Sequence, residues 1–144
     1  MRVEAILRSK GSEVETIRPD ASLTMAAQRM AALRIGCLVV TDVTSPVLGL
    51  LTERDVVRAF ARHGATAATL VVREVMSTGV PTCHGEDDLS SLMRTMTVRR
   101  YRHVPVVQDA KLAGIVSIGD VVKQRLEDLE LETNVLRDAY RATH

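Results

Sequence analysis

The stretch Gly49, Leu50, Leu51, Thr52, Glu53, Arg54, Asp55, Val56, Val57 returns 65 positions later as Gly114, Ile115, Val116, Ser117, Ile118, Gly119, Asp120, Val121, Val122. In both copies an apolar run ends in a hydroxyl residue, an Asp follows three positions on, and two Val residues come next. Internal repetition sets the unit that folds, so it is read before anything else. The repeat extends upstream: Leu23 matches Leu89, Met30 matches Met96, and Leu38, Val39, Val40 match Val104, Pro105, Val106, now 66 positions apart. One residue is therefore lost between the strands of the second copy.

Each copy reads as strand, helix, strand, strand, helix. Short strands are expected at Val14 to Ile17 and Val80 to Cys83. Leu23, Ala26, Ala27, Met30, Leu33 and, in the second copy, Leu89, Leu92, Met93, Met96 recur at helical spacing. The β-branched runs Cys37 to Thr41, Val47 to Thr52, His103 to Val107 and Leu112 to Ser117 predict buried strands, separated by turn-prone Asp42 to Pro46 and Gln108 to Lys111. Second helices follow from about Arg54 to Arg62 and from about Gly119 onward. Val3, Ile6 and Leu7 resemble Val72, Val75 and Met76, which predicts a short helical turn leading into each copy. One such unit cannot bury both faces of its sheet, whereas two packed sheet against sheet can. The expected class is α/β (α+β): two tandem β-α-β-β-α repeats in a pseudo-two-fold sandwich with a long C-terminal helix. The divisions are 1–64 for the first repeat, 70–125 for the second and 126–144 for a helical extension, with Gly64 to Thr69 as linker.

Composition narrows the function. The 144 residues suit one compact module, and they are 46% hydrophobic but only 2% aromatic, so the core is aliphatic. One Phe and two Tyr cannot build a stacking platform for single-stranded nucleic acid. A net charge of +1 supplies no long-range field toward nucleic acid or an anionic membrane, and neither is expected as a partner. No secretory signal or run of membrane-spanning length is present in the sequence, which makes the cytoplasm the expected compartment. Cys37 and Cys83 lack paired spacing and read as small buried hydrophobes in a reducing environment. Cys83, His84 and His103 lack the spacing of a metal site, and no nucleophile with a local base is encoded, so neither a metal nor catalysis is expected.

The order of elements, with "GLLTERDVV" and "GIVSIGDVV" at matched positions, resembles the CBS domain, named after cystathionine β-synthase, and "RYRHVPVV" adds likeness to stand-alone bacterial CBS pairs of signal-transduction type. The resemblance covers Val3 to about Arg125. It implies a pair, or Bateman module, with two symmetry-related clefts that hold AMP, ADP, ATP, NAD(H) or S-adenosylmethionine as regulatory ligand, with no cofactor required. It further implies that Thr52 and Ser117 contact phosphate and that Asp55 and Asp120 hold ribose hydroxyls.

The chemistry of those residues supports two readings. A hydroxyl at a strand end beside a helix N-terminus suits an anion, because unsatisfied N–H groups and the helix dipole converge there. The same Thr52, Ser117, Asp55 and Asp120 also have the spacing of helix caps, and capping and ligand contact can coexist. The resemblance implies that residues entering the second strand reach the phosphate of their own copy, so Arg102 and His103 are assigned to the Ser117 and Asp120 cleft, with Arg99 or Arg100 beside them. Strand alternation would send Tyr101 and His103 to one face and Arg100 and Arg102 to the other. Ile115 is assigned to that cleft too, with Gly36 and Cys37 approaching from the facing copy. Arg54 is the substitute cation for the Thr52 and Asp55 cleft, and Lys10 a further lining residue. The Ser117 and Asp120 cleft is thus expected to bind more tightly.

Beyond the repeat, Val122, Leu126, Leu129, Thr133, Leu136 and Tyr140 step by four and three in alternation, a heptad seam. It either packs back on its own sandwich or pairs with a second copy, and the seam's narrowness favours a homodimer. The resulting expectation is a non-enzymatic cytoplasmic energy or redox sensor that passes nucleotide occupancy to a downstream protein. The alternative is a non-catalytic interaction adaptor with vestigial clefts.

Overall fold

The computed structural model describes residues 1–144. The helices are α1 (Val3–Lys10), α2 (Leu23–Leu33), α3 (Glu53–His63), α4 (Val72–Val75), α5 (Leu89–Arg99) and α6 (Ile118–Thr143). The strands are β1 (Thr16–Ile17), β2 (Cys37–Val40), β3 (Gly49–Thr52), β4 (His103–Gln108) and β5 (Lys111–Ser117). One sheet has the order β1-β2-β3, with β1 parallel to β2 and β2 antiparallel to β3. The other is the antiparallel pair β4-β5.

The two sheets face each other through a small apolar layer in which Cys37, Val39 and Leu50 meet Leu112 and Ile115, with Val14 and Val80 at its border. Outside this layer each sheet is covered by helices over its own aliphatic core, which is the sandwich expected from the repeat. The first core joins Leu23, Ala26 and Met30 of α2 to Leu38, Val40 and Leu51; the second joins Leu89, Leu92 and Met96 of α5 to Val104, Val106 and Val116.

Three local expectations change. The strand expected at Val80 to Cys83 shrinks to one bridge, Cys83 to Val106, and Val14 to Ile17 shortens to two residues. The segment expected as a linker, Gly64–Thr69, is a 3-10 helix whose Ala67 is fully buried in the first core. The largest change concerns the lead-in segments. Val3 and Ile6 of α1 pack in the core of the second copy, whereas Val72, Val75 and Met76 pack with the core of the first. Backbone bridges repeat the exchange: Arg2 pairs with Asp88 before α5, and Val71 pairs with Ser22 before α2. The two structural halves therefore trade their first elements, α1 of two turns and α4 of one, each burying its apolar residues in the other half's core.

Close approach explains two of the glycines. A Cβ on Gly49 would lie 2.4 Å from the Ser77 carbonyl oxygen, and one on Gly114 would lie 2.7 Å from Leu7 Cδ2. These equivalent positions are where each lead-in segment crosses the other copy's strand.

Candidate functional site

Both repeats end their third strand in the same device. Thr52 Oγ1 accepts the Asp55 N–H at 3.2 Å while Asp55 Oδ2 accepts the Thr52 N–H at 2.9 Å; Ser117 and Asp120 repeat this at 3.1 and 2.9 Å. These are complete capping boxes, so the capping reading of all four residues holds. Each carboxylate also takes a partner from the exchanged segment. Ser77 donates to Asp55 Oδ1 at 3.0 Å, and Lys10 Nζ donates to Asp120 Oδ2 at 2.7 Å and to the Ile115 carbonyl at 2.8 Å. The bonds from Lys10 and from the Ser117 N–H to Asp120 both fall on Oδ2. Burial alone would raise the Asp120 carboxyl, but hydrogen bonds from Lys10 and the Ser117 backbone outweigh it and hold the group below its ordinary range.

Two cavities open beside these caps. The first, about 580 Å³, is lined by Thr52, Arg54, Asp55 and Arg58 from the start of α3, by Arg100, Tyr101, Arg102 and His103 from the second copy, and by Gly36, Glu53 and Ser77. The second, about 300 Å³, is lined by Lys10, Gly36, Cys37, His103, Ile115 and Ser117, together with Glu13, Val14, Glu15 and Ile35. Both volumes lie in the range of small-molecule clefts, ~300–1,000 Å³. Gly36 and His103 belong to both, so the cavities are neighbours across the sheet interface.

The residues singled out from the sequence line these two cavities, except Asp120, which lines neither because its carboxylate is turned to Lys10 and the Ser117 cap, and some line a different cavity than expected. Lys10, Cys37, Ile115 and Ser117 gather in the smaller one, with Gly36 and Cys37 coming from the facing copy. Arg100 and Arg102 do not join Ser117 and Asp120; they face Thr52 and Asp55 beside Arg54. The reason is local backbone. Arg100 is the left-handed cap that ends α5, with φ 59°, and β4 begins only at His103, so strand alternation never reaches residues 100–102. Tyr101 and Arg102 consequently line one cavity rather than opposite faces. The charge is distributed otherwise than expected: Arg54, Arg58, Arg100 and Arg102 with Glu53 and Asp55 line the Thr52 cavity, whereas the Ser117 cavity has Lys10 against Glu13 and Glu15.

His103 is held below its ordinary range, first by burial and then by Lys10, with Asp120 pulling the other way. It is therefore neutral near pH 7 and can donate from one ring nitrogen and accept at the other. Burial, with Asp55 nearby, pushes the Cys37 thiol up to about 12, so Cys37 offers an apolar wall rather than a nucleophile.

Several lining residues were not singled out. Arg58 stands one helical turn beyond Arg54, and that spacing was the available signal. Glu53 packs over Gly36, 3.5 Å from where its Cβ would be, and Ser77 arrives from a distant segment; no local pattern announces either.

The family model for the CBS domain matches residues 3–62 and again 72–127. The chain is similar to a CBS-domain containing protein from Agrobacterium tumefaciens, with 45% identity and a TM-score of 0.83 over 87% of this chain and 99% of that one. More distant folds include CBSX2, solved in complex with AMP, at 22% identity and TM-score 0.73 over 88% and 96% of the two chains. The CBS domain pair of protein MJ0100, solved with 5′-methylthioadenosine and S-adenosyl-L-methionine, matches at 23% identity and TM-score 0.78 over 89% and 98%.

Proposed function

The chain belongs to the CBS domain family, and on that premise we propose that it is a regulatory module that binds an adenine nucleotide and performs no chemistry on it. The observation that carries this reading is the larger cavity, where Arg54, Arg58, Arg100 and Arg102 ring the N-terminus of α3. Phosphates sit against these guanidinium groups near the positive end of the α3 dipole, and Asp55 receives the ribose hydroxyls. AMP, ADP, ATP and NAD(H) all carry the phosphorylated adenosine this arrangement fits, and the number of arginines favours more than one phosphate. Two CBS pairs of the same fold were solved with AMP and with adenosyl compounds, which supports an adenosine ligand here. The smaller cavity, with one Lys and two Glu, suits a nucleoside of little negative charge.

In this reading the module is a homodimer in the cytoplasm, where its two buried cysteines stay reduced, and it signals energy or redox state to a downstream protein. Ligand acts by preferring one arrangement of the halves over another. In this reading neither nucleic acid nor a membrane is its partner, because a net charge of +1 supplies no long-range field toward either. Calorimetry with AMP, ATP and NADH tests the proposal. ATP is expected to bind, and Arg102→Ala to weaken it about tenfold, the scale of one charged hydrogen bond. Absence of heat at millimolar ligand overturns the reading.

A second reading, a non-catalytic interaction adaptor with vestigial clefts, is favoured by one observation: both carboxylates already serve capping boxes and paired side chains. An adaptor keeps its partner whatever the nucleotide concentration, whereas a sensor does not.

A further inference from the structure

The outer part of α6 carries a surface that the sandwich does not use. Val121 is fully buried, Gln124 and Asp128 are half-buried and joined at 3.1 Å, and every residue from Leu129 to His144 is exposed. At 100° per residue, Val122, Leu126, Leu129, Thr133, Leu136 and Tyr140 form a stripe about 120° around the helix from the side that meets the body. Its apolar members other than Thr133 are 47 to 71% exposed, so the stripe does not fold back on its own sandwich.

Charge says what covers it. Leu126, Thr133 and Tyr140 take the first core position of the heptad, and Val122, Leu129 and Leu136 the other. The positions flanking this seam hold Arg125 and Glu132 on one side, and Lys123, Glu130 and Arg137 on the other. In a parallel pair in register, Arg125 meets the partner's Glu130 and Glu132 meets the partner's Arg137, and both contacts occur twice. An antiparallel pair over the same length sets Glu130 against the partner's Glu130, Glu132 against the partner's Glu132 and Lys123 against the partner's Arg137. All of these are like charges.

We propose that two copies of this chain join through α6 as a parallel, in-register two-stranded coiled coil from Val122 to Thr143. This deepens the self-association proposed above and is independent of the nucleotide reading. The pairing sets both sandwiches at the same end of the coil, with the Ser117 caps at its root.

Light scattering on the wild-type chain, a cysteine variant and a charge-reversal cycle test it. The wild type is expected to be a dimer. Leu136→Cys is expected to form an intermolecular disulfide on mild oxidation, whereas Asp138→Cys, on the outer face, is not; the native Cys37 and Cys83 are buried and give no background. Glu132→Arg and Arg137→Glu are each expected to raise the dimer dissociation constant about tenfold, and the double variant to restore it. A monomeric wild type overturns both the self-association and this pairing. A dimer in which Leu136→Cys stays unlinked and the charge reversals have no effect retains self-association and overturns the parallel coil.

Discussion

His103 stands at the wall shared by both cavities and is kept neutral by its surroundings, which makes stability depend on pH in a definite direction. Its folded value lies below its ordinary one, near 6.5, so between the two the unfolded chain binds more protons than the folded chain. Stability is therefore lost as pH falls below about 6.5 and regained on neutralisation. Denaturation followed from pH 7 to 5 is expected to show this slope, and His103→Gln to flatten it. Asp120 acts in a separate, more acidic window: its lowered carboxyl contributes above the ordinary value near 3.9 and loses that contribution as pH falls through the folded value. A second residue-scale prediction contrasts the crossing points. Gly49→Ala meets backbone and is expected to cost about 1–3 kcal/mol in urea unfolding, whereas Gly114→Ala meets the end of the Leu7 side chain and costs less.

At the scale of single elements, the helix ends carry both order and strain. Ser117→Ala removes a complete cap and is expected to cost about 1 kcal/mol, read as a lower urea midpoint. α2 and α5 end on Arg34 and Arg100, both left-handed at φ 55° and 59°, where glycine is the usual occupant. Arg34→Gly is expected to stabilise the fold by about 0.5–1 kcal/mol. Arg100→Gly should stabilise similarly while weakening phosphate binding, which gives a reason for retaining a strained arginine at the cavity. These elements were largely legible in advance. The spacing of Thr52 to Asp55 and Ser117 to Asp120 announced both caps, and the apolar periodicity of Leu23, Ala26 and Met30 announced α2, because each depends on residues close in sequence. What failed were expectations extended past an element's edge: strand alternation carried back through Arg102 to Arg100, and a strand at Val80 to Cys83 of which only Cys83 pairs with β4.

At the scale of the molecule, the repeat revealed two sheets and their sandwich but not the exchange of lead-in segments. Lys10 and Asp120 are 110 positions apart, and no periodicity connects them. The same holds for Ser77 and Asp55, so the partners of the two carboxylates, and hence part of each cavity, were invisible in one dimension. The exchange has an energetic corollary. Ile6 lies in the core of the second half, 3% exposed, so Ile6→Ala is expected to cost about 2–5 kcal/mol in chemical denaturation, as a central core residue would. Single-step unfolding of both halves is the matching expectation, since neither core is complete without a segment of the other.

That exchange also bears on synthesis. Residues 3–10 leave the ribosome long before the strands and helix they rest on, Val104, Val116 and Val121, have been translated. The nascent first half meanwhile lacks Val72, the plug for its own interior, until translation has passed it. Residues 3–10 are thus translated before the elements they rest on and seated only after them, and a ribosome stalled midway would hold an unfinished chain with an apolar helix still searching for its berth.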